Sequence, residues 1–229
     1  MTATVVPTGE AASASLSAAL RERTRLAHET AENSPFVGYL LSGRYPVEAY
    51  ALLAAQHHAI YRALEDAAAR WMGDPVAGPF VLAELERSPS VRRDLATLLG
   101  PSWEPVANRM VLPATVRYVE HLRTVAATWP AGFVAHHYVR YLGDLSGGQI
   151  VRRGLLDVFG PAVSGATSFY EFSRIPKVKP FRDAYRSKLD ALTLDPTESE
   201  RLVEEAVSAF HFNHAVFLDL GERCAARSS

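Results

Sequence analysis

Hydrophobic positions recur with a helical period along most of this 229-residue chain. The clearest case lies near the C-terminus, where residues at steps of three and four define one helix face: Val203, Ala206, Phe210, Asn213, Phe217 and Leu220. Asp195 as N-cap, Pro196 in the first turn and Glu198 as capping-box partner predict the start of that helix. Gly221 is predicted to end it. We find no convincing run with the alternating pattern of a half-buried strand.

Proline, glycine and capping residues divide the rest of the chain into further predicted helices. Pro35 is predicted to end the first helix, Pro46 to open the second, and Gly100 to end the third. The predicted helices are 16–33, 46–71, 88–99, 113–129, 132–159, 179–191 and 196–221. The stretch between 160 and 180 carries no clear period. These elements predict an all-α fold, a compact array of many helices.

Composition narrows the class of protein. A chain that is 48% hydrophobic can build a sizeable core, so we expect one domain at 16–223, with a flexible leader at 1–15 and a short polar tail at 224–229. A net charge of −1 gives no global attraction to nucleic acid. No apolar run approaches the ~18 residues that cross a membrane, and no membrane anchor is expected. The single cysteine, Cys224, excludes an intrachain disulfide and fits a reducing cytoplasm. We expect a cytoplasmic monomer.

The eight histidines give little support to a metal site built from protein ligands alone. His211 and His214 are spaced i, i+3, but the paired Glu-x-x-His motifs of a di-iron bundle are absent. His28 and Glu29 lack the second histidine of the zincin pattern. Taken singly, each histidine is more typical of a surface or a satisfied core position. The full set is His28, His57, His58, His121, His136, His137, His211 and His214.

Four polar residues share one face of the first predicted helix. Their spacing is i+4, i+3 and i+4, and they are Arg21, Arg25, His28 and Glu32. One interpretation is a solvated face that carries ion pairs. Another is a liganding imidazole with a carboxylate that fixes its tautomer and guanidinium groups that clamp an anion. Spacing alone leaves both interpretations open.

The segment RYLGDLSGGQ, residues 140–149, places glycines inside a predicted helix. Each glycine costs about 1 kcal/mol relative to alanine. Gly143 and Gly147 lie four residues apart, so their shared face exposes backbone to close approach by a flat ligand. Close helix packing through small residues is an alternative, and a kink at Gly147 and Gly148 is another. Asp144 can hold ordered water at the edge of such a ligand.

The same segment carries a family resemblance. Residues 135–149, AHHYVRYLGDLSGGQ, closely resemble the distal-helix signature of heme oxygenases, and residues 28–33, HETAEN, resemble their proximal-helix segment. Further similarity lies at 60–65, 117–119, 181–188 and 209–213. These segments follow the order of that family and cover roughly residues 16–221.

The resemblance implies that heme is both substrate and cofactor, held between a proximal helix and a glycine-kinked distal helix. O2 and electrons would convert it to biliverdin, carbon monoxide and ferrous iron, with cleavage expected at the α-meso carbon. The electron donor would be a ferredoxin with its reductase, or a flavin reductase. The alternative is a non-catalytic heme carrier or sensor. Retention of Asp144 and the intact glycines argues against that alternative.

The resemblance also implies roles for individual residues. His28 matches the axial ligand of the iron, and Glu32 matches a carboxylate near it. Asp144 matches the residue that organises distal water, and the polar network behind it matches Arg140, Tyr138 and Tyr61. The glycines whose backbone contacts the heme match Gly143, Gly147 and Gly148. The residues with a catalytic role match Asp144, Arg140, Tyr61 and Gly143. Cations near the propionates match Arg21, Arg25, Arg182 and Arg186, with Tyr138 as a further partner, and the pocket wall matches Phe210 and Asn213.

Overall fold

A computed structural model describes residues 15–226 of the chain, with the side chains of Glu32, Ala126 and Ala127 excepted. Over that range the chain is helical and contains no β-strand. The predicted all-α class is therefore confirmed. Residues 1–14 and 227–229 lie outside the described part, so the predicted flexible leader and the last half of the predicted tail remain predictions.

Ten α-helices and one π-helical segment make up the described fold. The α-helices are α1 (Leu16–Glu32), α2 (Pro35–Leu41), α3 (Val47–Ala68), α4 (Ser88–Leu99), α5 (Trp103–Arg109), α6 (Pro113–Thr128), α7 (Pro130–His137), α8 (Gly143–Phe159), α9 (Val178–Asp190) and α10 (Pro196–Ala225). The π segment, Tyr138–Leu142, joins α7 to α8. Single 3-10 turns lie at Gly78–Phe80, Ala83–Leu85, Gly160–Val163 and Ser168–Tyr170.

Helix α10 begins where the capping residues predict and ends later than predicted. The Asp195 Oδ1 atom accepts a hydrogen bond from the Glu198 backbone N–H at 2.9 Å. Gly221 does not adopt a positive φ, and the helix continues to Ala225. Because Cys224 is buried in the core beyond it, packing holds the last turn in place. The predicted helix end at 221 and the predicted tail beginning at 224 are both wrong at this point.

Helix α2 was missed by the sequence pattern. Pro35 occupies its first turn, so this proline both ends α1 and opens a second helix. Phe36 and Leu40 of α2 are buried in the core. The helix has only 7 residues, which is too short to show a clear period. It matters because it contributes side chains to the cavity described below.

The packing of helices around α10 leaves a gap between α1 and α8. Helix α10 packs against α1, and also against α7 and the π segment that leads into α8. Helix α2 contacts both α10 and α8. Helix α3 is buried along most of its length and packs between α4 and α6.

Between residues 15 and 226 no helix is both long and apolar enough to cross a membrane.

The irregular part of the predicted 132–159 helix lies before the glycine pair. Tyr138–Leu142 has π geometry, whereas Gly143–Phe159 is α-helical through Gly147 and Gly148. π segments are rare and occur frequently at functional sites. Here the segment ends at Leu142, and the glycine-rich face begins at the next residue, Gly143.

Candidate functional site

A cavity of about 390 Å³ lies between α1 and α8, with α10 forming part of its wall. This volume falls in the usual range for small-molecule sites. Eight of the residues that the sequence predicts for the site line it together: His28, Arg140, Gly143, Asp144, Gly147, Gly148, Phe210 and Asn213. Most of the remaining lining is apolar and includes Val37, Leu40, Leu41, Leu53, Val139, Ile150, Val151 and Phe217. The cavity therefore suits a largely apolar ligand with a few polar contacts.

His28 brings an imidazole to the α1 side of the cavity. Its half-buried ring meets the Phe210 ring edge to face, with centroids 5.4 Å apart and an interplanar angle of 73°. This contact restricts the orientation of the imidazole. The Glu32 backbone lies one turn further along α1, but its side chain is outside the described atoms. The predicted pairing of Glu32 with His28 therefore remains a prediction.

Three of the four glycines of α8 are predicted for the site, and these three face different surroundings. A Cβ atom added at Gly143 or Gly147 would meet no atom within 4 Å, so the two positions present bare backbone to open space. At Gly148 the added Cβ would lie 3.1 Å from Cδ1 of Tyr170. The open-face interpretation therefore fits Gly143 and Gly147, and the close-packing interpretation fits Gly148.

Asp144 places a carboxylate beside the glycine face. The buried Tyr61 hydroxyl, from α3, donates a hydrogen bond to Asp144 Oδ2. Burial raises the pKa of the Asp144 carboxyl, and the Arg140 guanidinium together with the Tyr61 hydrogen bond opposes that rise. A carboxyl whose pKa is raised holds its proton at a higher pH than an exposed aspartate does.

Arg140 is a buried cation with donors to spare. Its Nη1 donates to Asn213 Oδ1 at 2.7 Å, and its Cζ lies 4.9 Å from the centroid of the Tyr61 ring. Burial alone would lower the pKa of Arg140, but Tyr61 and Asp144 raise it above its usual value, so the group stays charged. Its Nε and Nη2 atoms find no acceptor among the described residues. Buried donors of this kind are usually satisfied by water or by a ligand.

Tyr138 lies within electrostatic reach of two of the predicted arginines, Arg186 and Arg21. Burial raises the pKa of the Tyr138 phenol, while Arg186, a hydrogen bond with Thr24, and Arg21 oppose that rise. Arg182 has a buried Nε without an acceptor among the described residues. Tyr61, Tyr138 and the four predicted arginines do not line the cavity itself.

Arg25 differs from the other predicted cations. Its Nη1 lies 3.3 Å from Glu29 Oε1, and its side chain is 62% exposed. This arrangement is the solvated face with an i, i+4 ion pair that the sequence left open. A role for Arg25 in ligand binding would require it to leave Glu29, and it stays a prediction.

Sequence reasoning missed two groups at the cavity. His57, to which no role was assigned, lines it and stacks on Phe169 with ring centroids 4.5 Å apart. Burial and the nearby Arg140 lower the pKa of His57 well below its usual value, so this imidazole is neutral. Tyr170 enters from the 160–180 stretch that showed no period. The sequence around His57 and Tyr170 contains no local pattern that predicts their place at the cavity. For helix α2, the Ser34-Pro35 pair is a helix-start pattern that could have indicated it.

Comparison with known proteins agrees with this geometry. The family model described as heme oxygenase matches residues 14–219. Heme oxygenase 1 of the cyanobacterium Synechocystis sp. is 36% identical over 208 residues, covering 91% of this chain and 85% of that protein. Human heme oxygenase 1 is 37% identical over 211 residues, covering 90% and 72% respectively.

Structural comparison gives the same result. A crystal structure of the Synechocystis heme oxygenase-1 in complex with heme superposes with a TM-score of 0.87 at 35% identity. The match covers 93% of this chain and 96% of that one. Sequence, fold and the relatives' names thus agree on one assignment, and the chain belongs to the heme oxygenase family.

Proposed function

We propose that this chain is a heme oxygenase that cleaves heme at the α-meso carbon to biliverdin, carbon monoxide and ferrous iron. One observation carries the proposal. A single cavity is bounded by the His28 imidazole on α1 and by the bare backbone of Gly143 and Gly147, with Asp144 beside it, on α8. In this cavity the His28 imidazole would hold the iron of a porphyrin, and the bare backbone of Gly143 and Gly147 would leave room for its flat ring.

The residues present fit heme. His28 is proposed as the axial ligand, because a neutral histidine leaves one iron coordination position open. The apolar walls suit the porphyrin faces, and a side chain at 143 or 147 would project into space that the ligand needs. When bound, heme supplies the redox chemistry, because its iron activates O2 with electrons from a reductase.

We assign proton supply to the polar group around Asp144. Asp144 and the Arg140–Asn213 pair line the cavity, and the Tyr61 hydroxyl stands behind them as the donor to the Asp144 carboxyl. The unpaired donors of Arg140 favour ordered water there. A carboxyl with a raised pKa can pass a proton to such water and recover one from it.

We assign the propionates to the group formed by Tyr138 and the two arginines that act electrostatically on it, Arg186 and Arg21. Propionates are anionic at neutral pH, and guanidinium groups bind carboxylates in two-point geometry. Clamps formed by this group would fix the in-plane rotation of the heme. They would thereby select which meso carbon is cleaved.

The Arg186→Glu protein is expected to bind hemin roughly tenfold more weakly or to yield a mixture of biliverdin isomers, because a hydrogen bond to a charged group contributes about 1.5–3 kcal/mol. Lys179→Glu is a matched control: it lies on the same helix, pairs with the same Asp183, and is 90% exposed against 38% for Arg186. Hemin titration and product chromatography measure both effects. Equal behaviour of the two variants would place the clamp elsewhere.

Turnover separates an oxygenase from the alternative carrier or sensor. The hemin complex is mixed aerobically with ascorbate, or with a ferredoxin and its reductase. We expect the Soret band to fall while a biliverdin band grows, and chromatography to give the α isomer. Stable heme under these conditions would favour the carrier. Absence of a Soret shift on adding hemin would exclude both.

We further propose a ferredoxin with its reductase, or a flavin reductase, as the electron donor, acting on a cytoplasmic monomer. Helix α9 carries exposed lysine and arginine side chains that can attract an acidic redox partner. The large exposed apolar side chains of the described residues are scattered over several helices, which favours a monomer. A single cysteine fits a reducing compartment.

A further inference from the structure

A second group of metal-ligating side chains lies where α6, α7 and α10 meet. His121 comes from α6, His136 from α7 and Glu205 from α10. Their ligand atoms all lie within 4.8 Å of one another. Glu205 Oε1 is 2.6 Å from Nε2 of each histidine. None of the three residues lines the cavity between α1 and α8.

Neighbouring rings hold this cluster in position. The His136 side chain is fully buried, and its Nδ1 lies 3.2 Å from the Tyr118 hydroxyl. The His121 ring packs on Phe212 at a centroid distance of 4.7 Å, and Tyr118 stacks on the same ring at 5.0 Å. Ligands that are already ordered lose little conformational entropy when an ion binds.

The second nitrogen of His136 also suits a liganding role. Metal-bound histidines usually donate their other ring N–H to a hydrogen-bonding partner that fixes the tautomer. With an ion at Nε2, the Nδ1–H of His136 would donate to the Tyr118 hydroxyl oxygen. The two hydrogen bonds that Glu205 now shares with the histidines would be replaced by bonds to the ion.

We propose that His121, His136 and Glu205 bind one divalent transition-metal ion of the Fe2+ or Zn2+ class. Two imidazoles and one carboxylate form the donor set found in non-heme Fe(II) sites and in catalytic zinc sites. The His121 side chain is 32% exposed and the Glu205 side chain 13%, so water can reach the remaining coordination positions. The proposal does not depend on heme cleavage. Under the proposed function, ferrous iron is one candidate ion, because the reaction releases it.

Calorimetric titration of the full-length, heme-free protein with Zn2+, and with Fe2+ under anaerobic conditions, tests the site. We expect one equivalent to bind to the parent. The variants His121→Gln and Glu205→Gln should each weaken binding at least about tenfold, and Tyr118→Phe should weaken it about 10–100-fold, the usual effect of losing a supporting hydrogen bond. His136 is left unchanged because it is fully buried.

His211→Gln is the matched control, because His211 is an exposed histidine on the same helix as Glu205. It should bind the ion like the parent. A parent that binds no ion would overturn the proposal, and so would His121→Gln and Glu205→Gln variants that bind as the parent does. Loss of binding in His211→Gln alone would place the ion on the surface histidines. An unchanged Soret shift with hemin shows that each variant keeps the cavity intact.

Discussion

Replacement of His28 by alanine is expected to remove the spectrum of histidine-ligated ferric heme and to lower biliverdin formation at least about 100-fold, since loss of a group that merely supports a ligand already costs 10–100-fold. His28 lines the cavity, and Phe210 restricts its ring. The half-buried position on α1 makes the substitution compatible with folding. Spectra of the hemin complex and turnover with ascorbate measure both effects.

Two further measurements make the His28 result specific. Added imidazole should restore the ligated spectrum of His28→Ala, because it fills the space that the side chain leaves. The other imidazole among the lining residues is His57, which is neutral and stacked on Phe169. A ligated spectrum that persists in His28→Ala and disappears in His28→Ala/His57→Leu would assign the iron to His57 and contradict the proposed ligand. His211→Ala, at an exposed position, should behave like the parent.

The parts of the fold that sequence predicts well are set by local interactions. Asp195 begins α10 through a hydrogen bond to Glu198, which lies only three residues away. Gly221 was misread because the helix end depends on the burial of Cys224 by distant residues. A proline such as Pro35 can mark the end of one helix or the start of another, and here it does both.

The residues of the candidate site also fall into those that local spacing predicts and those that depend on distant contacts. The i, i+4 spacing of Gly143 and Gly147 is local, and their shared open face followed from it. Gly148 has the same side chain but is constrained by Tyr170, which a distant loop supplies. His57 and the His121–His136–Glu205 cluster depend on how whole helices pack. Spacing along the chain carries no information about such contacts.

Replacement of Asp144 by alanine is expected to leave a folded protein that binds heme through His28 and forms biliverdin at least about 100-fold more slowly, because positioned acid–base groups typically contribute 10²–10⁴-fold. The Asp144 carboxyl lies at the cavity and accepts a hydrogen bond from the Tyr61 hydroxyl. The Arg140 cation interacts with it electrostatically. Alanine removes the group that exchanges protons with water at that position. Single-turnover rates of heme loss and biliverdin formation measure the effect.

The Asp144→Asn variant distinguishes the proton-transfer role of the carboxyl from its role as hydrogen-bond acceptor for Tyr61. Asparagine still accepts from Tyr61 but cannot ionise, so it should be as slow as alanine while keeping the heme spectrum of the parent. Because burial raises the pKa of Asp144, the parent should stay active above the pH at which an exposed aspartate loses its proton. Its rate should then fall with rising pH along a limb that Asp144→Asn lacks. Asp157→Ala, an exposed position on the same helix, should match the parent. Normal turnover in Asp144→Asn would remove this carboxyl from proton supply and leave that role to water held by Arg140.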